Sequence, residues 1–369
     1  VQRQGIWLAV AVAAGAGLAI IATVVLAGHL RQQELGEAVA TQTAMAEENA
    51  RDARVAANQA RRAREQAEEL VEFFLGELQS ELAPIGRVDV YEEAAERTLS
   101  YFESLPPTLM TPETEASRAG VLATLSQARF DRGDLTGAVQ ARREALSVWR
   151  TLLAEHGEND VRIELGSALG DLGVLLNANG ETAEARVAYL EALSVLEHAA
   201  AESASVNIEH GRASAHFGLG EIERLGENPL AALAEYSRAE ELIDLALEEK
   251  PESIAFLQTR MTILNSRGSI HTSNWEFEDA ETAYLQSLEI ARRIVEHDPE
   301  DRRWSKEVAT LLNNLGKLLD ENGAHERARP FLREALEMRE ALVAWDPRNG
   351  RWQADLADSW HNLAMLHHD

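Results

Sequence analysis

The sequence predicts an all-α protein, a solenoid of stacked helix hairpins. The first observation is a fixed period: from Gly316, steps of 48, 48 and 47 residues towards the N-terminus reach Gly268, Gly220 and Gly173. A repeat of this size is typical of hairpins that cannot bury their apolar face alone and therefore stack on one another. The second observation is composition. Aromatic residues make up only 5% of the chain, and no alternating pattern typical of strands occurs.

Further positions keep the same period, and their residue types agree with close helix packing. Gly or Ala in one helix leaves room for Leu or Tyr of its neighbour, so small and large residues are expected in separate columns. The small residues recur at Ala138, Ala185, Ala232, Ala280 and Ala328, and again at Ala145, Ala192, Ala239, Ser287 and Ala335. The large residues recur at Tyr189, Tyr236, Tyr284 and Leu332, and at Leu122, Leu169, Leu264, Leu312 and Trp360.

These columns resemble the tetratricopeptide repeat, whose signature has Leu-Gly in the first helix, Gly at the turn, and Ala, an aromatic residue and Ala in the second helix. The resemblance implies a right-handed α-solenoid with a concave groove. The usual repeat has about 34 residues, so a period of 47 or 48 residues implies longer helices or longer connections. In one repeat the matching residues are Leu315, Gly316, Gly323, Ala328 and Ala335.

The resemblance covers the chain from about residue 119 to its end. We expect about five full repeats and a truncated sixth in residues 111–369. Residues 71–110 keep a few of the repeat positions, and they end in a stretch that contains Pro106 and Pro107. This stretch is therefore predicted to form a degenerate capping repeat followed by a linker.

The N-terminal segment has a different character. Residues 5–28 carry no charged side chain and are predominantly apolar. About 20 such residues are needed to cross a bilayer, so residues 1–30 are predicted to form a transmembrane helix that contacts lipid through residues 5–28. A cleaved signal peptide is the alternative. The transmembrane helix predicts a single-pass protein of a bacterial inner membrane, with the repeats preferentially on the periplasmic side.

Residues 31–70 are rich in Ala, Glu and Arg and contain no Pro, which predicts a long helical stalk. Its apolar residues alternate at spacings of three and four. The stalk therefore either forms a coiled coil that joins two copies or stands as a single spacer helix. Residues 73–89 resemble the connection between a membrane helix and tetratricopeptide repeats in large bacterial signalling proteins, which carry a kinase or nucleotide-binding effector upstream.

Composition and motifs exclude several functions. A net charge of −27 argues against nucleic-acid binding, because phosphate contacts require a basic surface. The absence of cysteine excludes disulfides, thiolate metal sites and cysteine nucleophiles. No Gly-rich phosphate loop, GxSxG motif or HExxH motif occurs. We therefore expect no catalysis, no cofactor and no metal site.

The resemblance places ligand contacts on the concave groove, at first-helix positions around the Leu-Gly pair. Asparagine there can donate to and accept from an extended peptide backbone, although Asn314 and Asn362 could instead satisfy buried backbone groups between helices. The predicted groove residues are Asn177, Arg224, Asn265, Asn313, Asn314, Lys317, His361 and Asn362.

The sequence thus predicts a membrane-anchored scaffold, without catalysis, that binds or senses a protein or peptide partner for a bacterial signalling protein. The alternative function is self-assembly, in which the chain forms a homo-oligomer that brings membrane subunits together.

Overall fold

The structure, a computed structural model, describes residues 88–366 apart from 300 and 348, together with scattered residues between 23 and 62. The chain divides into two compact units, Val1–Glu69 and Leu70–Asp369. In the first unit, each residue that the structure describes is helical and exposed. The predicted stalk of residues 31–70 and the predicted cap and linker of residues 71–110 lie partly outside the described residues, so these domain boundaries stay predictions.

The membrane prediction requires correction. Most of the predicted span, residues 5–28, lies outside the described residues. In the part of the chain that the structure describes, no helix combines the length and the apolar character needed to cross a bilayer. This finding overturns the predicted localisation, a single-pass protein of a bacterial inner membrane with its repeats towards the periplasm.

The described part of the second unit is entirely helical. It contains twelve α-helices and one turn of 3-10 helix, Pro107–Leu109. The α-helices are α1 (Val88–Ser104), α2 (Pro112–Asp131), α3 (Leu135–His156), α4 (Asn159–Ala178), α5 (Thr182–Glu202), α6 (Val206–Leu225), α7 (Pro229–Glu249), α8 (Ile254–Ser273), α9 (Phe277–His297), α10 (Arg302–Glu321), α11 (His325–Trp345) and α12 (Gly350–Met365).

Five hairpins form from consecutive helices, α2–α3, α4–α5, α6–α7, α8–α9 and α10–α11, and α12 packs against α11. Each second helix also contacts the first helix of the next hairpin, which makes the array a continuous solenoid. The helices of the hairpins have 20 to 22 residues. The extra residues of the 47- or 48-residue period therefore lie in longer helices, not in longer connections.

Helix starts follow local sequence signals. The Thr111 side chain accepts a hydrogen bond from the backbone N–H of Thr114, and Pro112 occupies the first helical position of α2. Asp134 and Asn349 cap α3 and α12 in the same way, through bonds of 2.9 and 3.1 Å from backbone N–H groups. These caps satisfy donors that the first helical turn leaves without a partner.

Within the hairpins, a glycine of the first helix lies directly under a large side chain of the second. A Cβ atom added at Gly173 would lie 2.5 Å from the Tyr189 ring, and one added at Gly268 would lie 2.7 Å from the Tyr284 ring. The equivalent pairs are Gly220 with Tyr236 and Gly316 with Leu332. The packing reason predicted for the glycine column is thereby confirmed.

In the first hairpin, different residue types make the equivalent contact. Ser126 and Arg142 occupy the places of the glycine and the aromatic residue. The Ser126 hydroxyl donates to the carbonyl oxygen of Ala138 at 2.8 Å, so its small polar group is satisfied. Arg142 is only 7% exposed, and its guanidinium reaches Asp171 of the next hairpin at 3.2 Å.

The turn inside each hairpin requires one residue in the left-handed region. Gly133, Gly180 and Gly323 supply it, with φ between 73° and 84°. Glu227 and Trp275 adopt the same conformation at φ 58° and 63°, which costs a residue with a Cβ about 1–2 kcal/mol. The turn geometry is therefore kept even where the sequence opposes it.

Two glycines in α4 allow a matched test of the packing. Gly173→Ala should lower the free energy of unfolding by about 1–3 kcal/mol, because the new methyl group overlaps Tyr189. Gly170→Ala, three residues earlier, should raise it by about 0.5–1 kcal/mol, because no atom lies within 4 Å of the added Cβ. Denaturant titration of the full chain measures both. Equal effects of the two substitutions would contradict the packing account.

Candidate functional site

The first helices of the second, third and fourth hairpins, α4, α6 and α8, line an open cavity of about 510 Å³. We call this surface the central groove. Each helix contributes one stripe of side chains spaced three or four residues apart, as expected for one helix face. The stripes include Ser167, Asp171, Val174 and Asn177 of α4, His210, Ser214, Phe217 and Glu221 of α6, and Gln258, Thr259 and Thr262 of α8.

Glycines and one tyrosine shape the floor of the groove. Tyr189 of α5 lies between the two neighbouring first helices, because a Cβ added at either Gly173 or Gly218 would lie within 2.5 Å of its ring. Gly170 lines the cavity with nothing within 4 Å of its Cβ position. Packing therefore explains Gly218 but not Gly170, which leaves the groove open where a side chain would fill it.

Carboxylates make the α4 side of the groove negative. Glu164 is an exposed residue three positions before the lining residue Ser167 on α4. Partial burial raises its pKa, and the neighbouring charges of Asp171 and Asp160 raise it further. Burial, Asp171 and Glu221 likewise raise the pKa of the Tyr189 hydroxyl. Asp171 is 59% exposed at its side chain, so its charge faces the solvent of the groove.

Glu221 of α6 differs from the α4 carboxylates because it is fully partnered. Burial alone would raise its pKa, but hydrogen bonds from Arg224 and Tyr236 outweigh burial and hold the pKa below the usual range. The Arg224 Nη2 atom lies 2.7 Å from Glu221 Oε2. Arg224, a predicted ligand contact, is therefore engaged within the protein.

A neutral histidine lies next to the hydroxyl groups of α8. Burial lowers the pKa of His210, although the charge of Asp171 opposes this shift. Its Nε2 atom lies 2.9 Å from Thr259 Oγ1, and that hydroxyl donates its single proton to the Ala255 carbonyl oxygen at 3.1 Å. Nε2 must then be the donor, which leaves Nδ1 as an acceptor. Thr262 also donates to its own helix, at Gln258 O.

Four of the predicted groove residues bond to one another. Asn314 Nδ2 donates to Asn265 Oδ1 at 3.1 Å, which links α10 to α8. Asn362 Nδ2 donates to Asn313 Oδ1 at 2.9 Å, which links α12 to α10. The bonds of Asn314 and Asn362 thus go to side chains of neighbouring repeats, not to buried backbone groups as the alternative prediction expected.

The other predicted groove residues are dispersed along the array. Asn177 lines the cavity, whereas Lys317 and His361 are exposed on α10 and α12. None of the eight predictions included Asp171, His210 or Phe217, which do line the cavity. The period could have predicted two of them. Steps of 48, 48 and 47 residues back from Asn314 reach Asp171, and two steps of 48 residues back from Asn313 reach Phe217.

A second cavity, of about 1100 Å³, lies where the first hairpin faces the later first helices. Asp131 and Arg132 at the end of α2 line it together with Arg303 and Lys306 of α10. A hydrogen bond to Asp301 raises the pKa of the Arg303 guanidinium, and the charge of Asp131 adds to this rise. The winding of the solenoid therefore brings charges together that are about 170 residues apart in the sequence.

One group of described side chains has the spacing of metal ligands. The ligand atoms of His271, Glu276 and Asp279 lie within 4.8 Å of one another at the turn between α8 and α9. Two of these atoms already bond, because His271 Nδ1 lies 2.6 Å from Glu276 Oε2. This bond joins the end of α8 to the start of α9 and by itself explains why the two side chains meet.

The helix hairpins, their period and their groove define a class of protein, the tetratricopeptide-repeat solenoids. Family models described as tetratricopeptide repeat match residues 259–341 and residues 165–200. The chain thus contains tetratricopeptide repeats, in agreement with the resemblance predicted from its columns. Comparison with curated proteins finds no match.

Solved structures share this fold. BtubC (BKLC) from P. vanneervenii is 19% identical, with a TM-score of 0.54 over 69% of this chain and 92% of that chain. The apo form of the quorum sensor NprR from B. thuringiensis is 14% identical, with a TM-score of 0.50 over 81% of this chain and 69% of that chain. At such identities the likeness shows the fold alone.

The raised pKa of Glu164 predicts a pH-dependent stability. Between its unfolded pKa and its higher folded pKa, the folded state holds the proton more tightly, so ionisation at higher pH destabilises the fold. Glu164→Gln should therefore increase the free energy of unfolding at pH 7, by less than about 1 kcal/mol because solvent screens the carboxylate, and raise the melting temperature accordingly. The gain should disappear at acidic pH, where Glu164 is protonated in both states.

Thermal melts at several pH values test this, with Glu197→Gln as the control. Glu197 is exposed on α5, so the control changes net charge equally, away from the groove. The same gain in both variants would show that net charge, not the surroundings of Glu164, causes the effect.

Proposed function

We propose that the central groove binds an extended segment of a protein partner, so that the chain acts as a non-catalytic interaction scaffold. The observation that carries this proposal is Gly170. A glycine in a helix interior costs about 1 kcal/mol relative to alanine, and neither packing nor backbone conformation requires one here. A residue that keeps a cavity open at a cost in stability is expected where another molecule must approach the helix closely.

The dimensions and lining of the cavity support a peptide ligand. A volume of about 510 Å³ lies within the range of about 300–1,000 Å³ typical of ligand sites. The lining combines a half-exposed Val174 and the Phe217 ring with hydroxyl and amide groups of α6 and α8. Apolar anchors among a few oriented polar groups are what a peptide with alternating side chains requires.

A role in sensing or signalling is the finer part of this proposal. It is supported by the resemblance of residues 73–89 to the corresponding segment of bacterial signalling proteins, most of which lies outside the described residues. NprR is a quorum sensor by its name, and its likeness to this chain concerns the fold. The proposal for this chain is that partner binding in the groove is the event that an effector elsewhere would detect.

Substitution of Gly170 tests the proposal. Nonapeptides selected from a random displayed library against the full chain should bind at least tenfold more weakly to Gly170→Leu, because the leucine fills the cavity. The melting temperature should stay equal or rise, since leucine favours the helix more than glycine does. Fluorescence anisotropy with the labelled peptide and thermal melts measure the two quantities.

Gly120→Leu is the matched control. Gly120 is also helical, with nothing within 4 Å of its Cβ position, but it does not line the cavity. Failure to select any peptide, or selected peptides that bind both variants like the unaltered chain, would refute the proposal. Sedimentation of the full chain tests the alternative function, because a monomer at high concentration would remove self-assembly.

A further inference from the structure

The helix face of α4 at the central groove carries two carboxylates, Asp171 in the cavity lining and Glu164 one turn before the lining residue Ser167, and only Asp171 is paired with a cation. Glu164 and Asp171 are two turns apart on one face of α4. They are close enough for the charge of Asp171 to raise the pKa of Glu164. In the described part of the chain, no ion pair forms at Glu164, and Asp171 uses Oδ2 for its pair with Arg142. Arg162 and Arg224, the nearby arginines, are engaged by Glu202 and Glu221.

Uncharged groups of the groove add acceptors to these carboxylates. The Thr262 hydroxyl donates its only hydrogen bond to Gln258 O at 2.9 Å, so towards a ligand this hydroxyl can only accept. His210 offers Nδ1 in its neutral form, as derived above. The side-chain oxygen of Asn177 is buried in the cavity lining, and no described residue donates a hydrogen bond to it. An unfilled buried acceptor is costly and favours a ligand that donates.

Apolar surface lies directly beside these acceptors. Val174 follows Asp171 by one turn of α4 and is 50% exposed. Across the cavity, Phe217 stacks on Tyr236 with ring centroids 5.6 Å apart, which fixes the orientation of its ring. A ligand that reaches the carboxylates of α4 therefore places its next group against an apolar pair.

The second cavity does not share this excess of negative charge. Of its cations, Arg132, Arg303 and Lys306 each pair with a carboxylate, Glu92, Asp301 and Glu307 respectively, whereas Arg351 forms no ion pair with a described residue. An acidic ligand therefore finds one such cation there, Arg351, whereas a cationic ligand at α4 finds Glu164 and the second carboxylate oxygen of Asp171. Charge complementarity consequently favours a basic partner at the central groove.

We propose that the central groove selects a peptide that carries lysine or arginine next to an apolar residue, with the cation at Glu164 and Asp171 and the apolar side chain between Val174 and Phe217. This inference rests on the proposed function and specifies its ligand. Lysine and arginine have three and five N–H donors and no acceptor, which complements a wall of acceptors. Arginine additionally binds carboxylates through two parallel hydrogen bonds.

The experiment uses the full chain and the displayed random nonapeptide library. Lysine or arginine next to an apolar residue should be enriched among the selected peptides. A synthetic peptide of this kind should bind Glu164→Gln about tenfold more weakly, the effect expected for losing one hydrogen-bonded charge. The same peptide with its cation replaced by glutamine should bind Glu164→Gln and the unaltered chain equally.

Glu197→Gln is the matched control, because it removes the same charge outside the groove. It should leave the affinity nearly unchanged. Glu164→Lys provides a second variant, against which the library should enrich peptides with Asp or Glu at the corresponding position. Glu164 is exposed, so neither of its substitutions disturbs the core.

The outcomes separate this inference from the proposed function. Peptides that lose binding to Gly170→Leu but show no enrichment of lysine or arginine would overturn the inference and leave the function standing. Equal weakening by Glu164→Gln and Glu197→Gln would also overturn it, because attraction to the overall charge of −27 would then suffice. Peptides that are insensitive to Gly170→Leu, or no selected peptides, would overturn both.

Discussion

The contact on which the array depends is the close approach of a large side chain to a glycine backbone inside four of the five hairpins. In the second, third, fourth and fifth hairpins the two residues are 16 positions apart, as in Gly173 and Tyr189 or Gly316 and Leu332. The ring or the leucine fills the space that a Cβ would occupy, which lets the two helices approach and buries their apolar faces. These four hairpins therefore share the same close packing between their two helices.

The same contact also forms the groove. Tyr189 is a core residue of its own hairpin, and its ring extends to Gly218 of the next first helix, where it becomes part of the cavity floor. Stability and binding surface are therefore coupled at this residue. The Tyr189 ring can lie against α6 at this point because Gly218 has no side chain.

Charge distinguishes one part of the groove from the rest. Most carboxylates that lie near the first helices have a cation or hydroxyl partner, as Glu221 has in Arg224 and Tyr236. Burial and the neighbouring carboxylates raise the pKa of Glu164, which has no such partner among the described residues. An array built from similar repeats thus acquires a local preference through a few residues that differ between repeats, while the packing columns remain constant.

The sequence by itself determined the hairpins, their period and the packing columns, because these depend on residue size at regular spacing along the chain. Only the tertiary structure decided that Asn314 bonds Asn265 and Asn362 bonds Asn313, and that α4, α6 and α8 line the cavity. It also decided that Asp131 lies near Arg303. These contacts depend on the rotation between successive hairpins. That rotation is the sum of small packing angles over many residues, so the sequence of a single repeat does not predict it.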